Sequence, residues 1–207
     1  MESLLMAAIV VAGATLAAVL AWSMQPGNRV RWMLRGEKDT PIAELKHGEW
    51  AKVTGIVSAA APTLTSLIGE DDCIGFRLEV ARFDSQMPVV LRRQACQAFA
   101  ISDETGKAHV DGPFFLALDF GEPITVPRHR RNALEEAGVP TSGILFERRF
   151  TYREVLLRPG DRISVFGLVF LEPDPTVPAA GLRVPPVVAR IHGSTDQPIS
   201  VFRADDA

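Results

Sequence analysis

With 207 residues, the chain can hold one domain with a real hydrophobic core plus an appendage. A formal net charge of −3 supplies no whole-protein field toward nucleic acid, and two cysteines, Cys73 and Cys96, without a CxxC spacing are too few for a disulfide scaffold or a zinc finger. Only four of the 22 basic residues are lysine; this arginine bias, in an alanine-rich chain, is the habit of a GC-rich genome and points to a bacterial source.

The first element is apolar. From Ser3 to Asn28 the sequence carries no charged side chain, and as a helix that stretch would be about 39 Å long, against about 30 Å of bilayer hydrocarbon. Leu4–Met24 therefore reads as a single transmembrane helix, with Trp22 at its end where an amphipathic ring favours the interface. A cleaved signal peptide is the rival reading, since Val19 and Ala21 suit a small-residue cleavage site; but that class wants a basic n-region and a shorter apolar core. Arg29, Arg31 and Arg35 follow the span, and only Glu2 precedes it, so the positive-inside rule places the soluble domain in the cytoplasm. Trp32 joins these residues as a membrane-interface position. Gly13 and Ala17 form a small-xxx-small pair that would permit weak self-association.

Next, DTPIAELKHG (Asp39–Gly48) has Thr40 as cap, Pro41 at the first helical position and Gly48 as stop, which predicts a short helix leading into the domain. The period then changes to two. Ala51–Val57, Cys73–Phe83 and Arg162–Phe170 alternate apolar and polar residues, the mark of half-buried antiparallel strands. Gly55 and Gly167 inside them suit the bends of a small barrel. ISDETGKAHVDG (Ile101–Gly112) looks at first like an acid/base or metal site. Its flanks instead alternate Phe99 and Ile101, then Ala108 and Val110, around a turn of Asp103, Glu104, Thr105 and Gly106. The stretch predicts a hairpin, and His109 with Asp111 gives only two ligands, short of a metal site. Pro127–Gly143 predicts a helical insertion of about ten residues. A proline-rich loop follows Leu171, then two short strands, VVARIHG and PISVF.

The expected fold class is all-β, a small antiparallel barrel or sandwich with a helical insertion, preceded by one transmembrane α-helix. The expected division is an anchor over 1–28, a juxtamembrane linker and short helix over 29–50, a β domain over 51–203 with its insertion at about 127–143, and a tail over 204–207.

Three patterns carry a resemblance. PTLTSLIGEDDCIGFRLEV has a Leu-x-Ser-Leu-x-Gly turn (Leu64, Ser66, Gly69) before Cys73. FAISDETGKAHVD has the form D-x-T-G-x-A-x-V (Asp103, Thr105, Gly106). YREVLLRPGDRISVFGLV has the form Y-x-E-x-x-L-x-P-G-D-x-x-x-V-x-G (Glu154, Gly160, Asp161, Gly167). In this order, and with DTPIAEL after a membrane helix, the chain resembles the GIDE family, the "beside-a-membrane" domain of a mitochondrial outer-membrane ubiquitin ligase, which has many bacterial members. The resemblance implies a membrane-anchored interaction or scaffold module. It also carries the label of ubiquitin-protein ligase, but the RING finger that the family's ligases use needs eight Cys/His zinc ligands, and this sequence lacks them.

Residue by residue, the structural roles are preferred. Cys73 and Cys96 read as small core residues, expected to stay reduced, and Glu154 as a partly buried carboxylate paired to an arginine. Arg128, Arg130 and Arg131 form a candidate interaction patch. No catalytic residue, metal or cofactor is expected. The expected partners are the lipid bilayer and an unknown protein, with no nucleic acid. Alternatives are an enzyme using Cys73 or Glu154, and a nucleic-acid- or ligand-binding small β-barrel, for which stacking aromatics and a basic groove would be required.

Overall fold

Val53 and Val57 of the first strand, β1 (Trp50–Ala59), are sealed from solvent while Trp50 and Ile56 face outward, as the period of two requires. A computed structural model of the protein describes residues 37–83, 89–141, 149–173 and 187–204. The anchor span Leu4–Met24, with Trp22, Arg29, Arg31, Trp32 and Arg35, lies outside them, as do most of the proline-rich loop and the tail. Among the described residues no helix is long and apolar enough to cross a membrane.

Two very short strands, β2 (Leu64–Thr65) and β3 (Asp72–Cys73), follow β1 and pair with each other. Then come β4 (Gly75–Arg82), β5 (Val89–Cys96), β6 (Phe99–Ser102), β7 (Lys107–Asp111), β8 (Phe114–Leu116) and β9 (Ile124–Thr125). A short helix, α1 (Arg131–Glu136), precedes β10 (Phe150–Leu157), β11 (Arg162–Pro173), β12 (Val187–His192) and β13 (Ile199–Arg203).

Five strands close into a barrel. β1 pairs with β6, β6 with β7, β7 with β12, β12 with β11, and β11 returns to β1. Of β1, β6, β7 and β11, the last comes back by a long connection to lie beside the first, which is a Greek key. The antiparallel expectation holds for most pairs, but β7–β12 and β8–β13 run parallel. The long stretches of chain between these partners permit the parallel sense, which a hairpin does not. Gly55 lies where β1 passes from β11 to β6, and Gly167 where β11 passes from β13 to β12. A Cβ on Gly167 would stand 2.6 Å from Ile191 Cγ2, and one on Gly55 would strike the Ser102 carbonyl. Both glycines are corners where two strands press together.

A second, four-stranded antiparallel sheet (β5–β4–β10–β9) is assembled from two excursions out of the barrel, one between β1 and β6, the other between β7 and β11. Val155 and Leu157 from this sheet, with Ile74 just before β4, join the barrel core with Val53, Phe99 and Ile163. Leu78, Val80 and Phe150 from its other face build a separate core with Ile68, Val126, Leu134 and Val139.

Two helical expectations are corrected. The segment Pro41–His47 contains one 3-10 turn, Ile42–Glu44, and Leu45 is already extended. A single turn is enough to send both Ile42 and Leu45 into the open end of the barrel, where each is buried. The insertion is a 3-10 turn, Arg128–Arg130, running into the six-residue α1. Gly138, at φ 83°, stops it as the sequence predicts: its amide bonds the Glu135 carbonyl and that of Val139 bonds Leu134, a Schellman ending with Leu134 packed beside Val139.

Candidate functional site

Most of the motif residues gather at two carboxylates, and the first is Asp103. The β6–β7 turn curls its carboxylate back so that Oδ1 accepts from the Thr105 amide (2.7 Å), the Thr105 hydroxyl (2.7 Å) and the Gly106 amide (2.9 Å). This is the local bonding that makes Asp a turn residue. The remaining oxygen, Oδ2, accepts the Ile42 amide at 2.9 Å, and Thr105 Oγ1 accepts the Ala43 amide at 3.1 Å. Pro41 precedes the 3-10 turn and gives it no side-chain cap. Asp103 and Thr105 therefore cap that turn from sixty residues away in sequence, satisfying amides that a helix start leaves open. Gly106 completes the fit, since a Cβ there would lie 3.1 Å from Ile42 Cγ2. Burial pushes the Asp103 carboxyl up, but the Thr105 hydroxyl and the three amides outweigh it and hold the group below its ordinary range.

The capped segment is fastened elsewhere too. The Thr40 amide bonds the Lys52 carbonyl at 2.8 Å, and the Lys52 amine meets Asp39 at 3.3 Å. Gly48 and Glu49 exchange bonds with Val169, and His47 Nδ1 accepts the Leu171 amide at 3.1 Å. Asp39–Glu49 is thus a strap drawn across the barrel end.

The second centre is Glu154 on β10. Its Oε2 accepts the Gly69 amide at 3.1 Å and the Ser66 hydroxyl at 3.3 Å, while Ser66 Oγ accepts the Asp71 amide at 3.2 Å. The loop between β2 and β3 is wound on this carboxylate. Among the described residues Glu154 has no arginine partner: Arg158 pairs with Asp71 at 3.0 Å instead. Glu154 Oε1 is buried with no hydrogen-bond partner. Burial dominates here and raises the carboxyl above its ordinary value, against the Gly69 and Ile68 amides and the Ser66 hydroxyl.

Cys73, fully buried and paired to Leu64 across β2–β3, has its thiol pushed up to about 11, first by burial and then by Glu154. Cys96 is pushed up to about 12 by burial and by Cys73. Neither is poised as a thiolate nucleophile at neutral pH. The Pro-Gly-Asp turn before β11 is laced to β1: Gly160, at φ 92°, donates to the Val57 carbonyl, the Asp161 carbonyl accepts from Val57, and Asp161 Oδ2 accepts the Arg158 amide at 2.8 Å.

The arginine cluster divides. Arg130 turns into the protein, donating to the Ile68 carbonyl at 2.9 Å and pairing with Glu70, a non-glycine residue at φ 59° in the Glu154 loop. Arg128 is exposed and Arg131 partly so. The structure therefore joins Ser66, Gly69, Cys73 and Glu154 at one place, with Arg130 bracing the same loop, and Asp103, Thr105 and Gly106 at another. Sequence reading missed Ile42 and Ala43 as the groups that the D-x-T-G turn serves; DTPIAEL was the signal available. Among the described residues no group of three or more His, Cys, Asp or Glu is placed to hold a metal. No protein-family model matches the chain, and no curated protein matches it significantly.

Proposed function

We propose that the protein is a membrane-anchored interaction or scaffold module of the GIDE-like type, in which the N-terminal span holds the chain at the bilayer and the β domain is presented to a protein partner. The observation that supports this most is the capping of Ile42 and Ala43 by Asp103 and Thr105. It ties the segment nearest the anchor to the barrel wall, so the domain is carried on a short lead. Asp103 spends both carboxylate oxygens, and Glu154 one of its two, on holding loops together. Reduced thiols and a cytoplasmic domain go with this reading. Ubiquitin transfer stays attached to the family resemblance alone.

Affinity capture of the detergent-solubilised full chain, run beside Asp103→Ala, tests it. A partner retained by the wild-type protein and lost or weakened when the strap is loosened is the expected result. If nothing is retained, while Cys73→Ala or Glu154→Gln removes a cellular phenotype with the domain still folded, the enzyme reading replaces it.

The Greek-key barrel favours one second reading, a ligand-binding barrel of the oligonucleotide-binding kind, although a fold by itself does not assign a ligand. Saturable binding of a single-stranded oligonucleotide that weakens with salt would support it.

A further inference from the structure

Away from both loops, the outer wall of the barrel carries an aromatic strip. In the β1–β11 ladder Trp50 stands across from Leu168 and Lys52 across from Phe166. The Trp50 ring stacks on Phe166 with centroids 5.3 Å apart and planes at 27°, yet the residue remains 40% exposed. Farther along β11, Phe170 receives two imidazole rings edge-on, His47 at 5.6 Å and His192 at 6.1 Å. Leu168 lies between the two groups and is partly exposed. Trp50 has the apolar body and polar edge that settle at the boundary between hydrocarbon and headgroups, and Phe166, Leu168 and Phe170 extend its apolar face.

The position of the chain says what lies over this strip. The strap begins at Asp39, which is bonded to Lys52, and Lys52 faces Phe166. The lead to the anchor therefore departs from the border of the strip itself. About fifteen residues separate Asp39 from Met24, at most about 50 Å when extended, and Arg29, Arg31 and Arg35 lie along them. Were the whole Asp39–Glu49 strap released, the free lead would reach back to Trp50, about 26 residues from Met24. A tether of this length raises the local concentration of the bilayer surface to a point where a contact too weak to recruit a free protein is formed.

We propose that the strip of Trp50, Phe166, Leu168 and Phe170, flanked by His47 and His192, docks on the interfacial layer of the bilayer that holds the N-terminal span. This rests on the anchor reading above. The test uses the full-length chain with Trp22→Phe and Trp32→Phe, so that Trp50 is its sole tryptophan, in nanodiscs of phosphatidylcholine and phosphatidylglycerol. Brominated acyl chains are expected to quench Trp50 emission at least twofold, while iodide reaches it several-fold less well than it reaches free tryptophan. Full iodide quenching with no effect of brominated lipid overturns the docking. Protection from iodide without bromolipid quenching, lost on dilution with empty discs, assigns the strip to a second copy and also overturns it. Elution of the chain apart from the discs defeats the anchor reading itself, whereas co-elution with a solvent-quenched Trp50 defeats only the docking.

Discussion

The two carboxylates are built from the same chemistry and come out opposite. Asp103 has donors on both oxygens and is held ionised; Glu154 has donors on one oxygen, a partnerless second, and a burial cost that wins. Both organise a loop around themselves. The difference teaches that a carboxylate's role as a structural hub does not fix the direction in which its pKa moves: the balance of satisfied lone pairs against lost hydration does.

The largest way to break the contrast is Asp103→Ala. It strips bonds from the Ile42, Thr105 and Gly106 amides, and with a net worth of about 1 kcal/mol for each such bond, roughly 2–3 kcal/mol of stability is expected to go. Denaturant unfolding should show it, with earlier proteolysis in the Asp39–Glu49 strap. Next is Gly69→Ala, whose Cβ would meet Glu154 Oε2 at 2.9 Å and Ser66 Oγ at 3.1 Å. The ends of side chains can give way, so about 1 kcal/mol is expected. Gly106→Ala meets only the Ile42 side chain, Cγ2 at 3.1 Å and Cβ at 3.6 Å, and should cost less than Gly69→Ala in the same denaturant series.

Glu154→Gln should move the other way. Gln keeps an acceptor for Gly69 and Ser66 and removes the buried charge, so at pH 7 it is expected to be neutral or stabilising by up to about 1 kcal/mol. A pH series sharpens this into a sign. The Asp103 carboxyl is lower in the folded state, so its contribution is complete above the ordinary carboxylate range near pH 4 and is lost as pH falls through the folded value. Glu154 is raised, so its contribution is complete below that range and is lost as pH rises through the folded value. The wild-type advantage over Asp103→Asn should therefore shrink in acid, while any advantage of Glu154→Gln over wild type should vanish there. Parallel profiles for the two pairs would show that the two carboxyls are not shifted in opposite directions.

Much of the barrel was legible because its strands alternate strictly: Val53, Ile101, Val110 and Ile163 are all fully or almost fully buried at the positions that the period of two assigns. The corners were legible at Gly55 and Gly167. The second sheet was not. β5 contains Arg92 and Arg93 side by side and is exposed along much of its length, so periodicity does not mark it. Its pairing with β4, and that of β10 with β4, is decided by contacts that no local window holds. At the sites, the sequence marks Glu154 as structural but points to an arginine partner, where the structure has the Ser66 hydroxyl and the Gly69 amide, because the backbone amide of a loop leaves no mark on the sequence. Asp103 reads as a turn residue and the turn is there; DTPIAEL marks a segment near the domain entrance, but that Asp103 and Thr105 capture its amides is a long-range contact that no local pattern holds.

The order in which the barrel strands occur along the chain has a consequence for its making. β1 is translated early, but its ladder with β11 cannot form until Arg162 and the residues after it emerge, roughly a hundred residues or on the order of ten seconds later at typical rates of synthesis. For that interval the strand that adjoins the strap is a bare edge along Trp50–Ile56, with Val53 uncovered. Nascent chains held side by side at one place would be free to pair there with one another. A lysine on an open edge discourages such pairing, and Lys52 stands on that edge before it partners Asp39 in the finished fold.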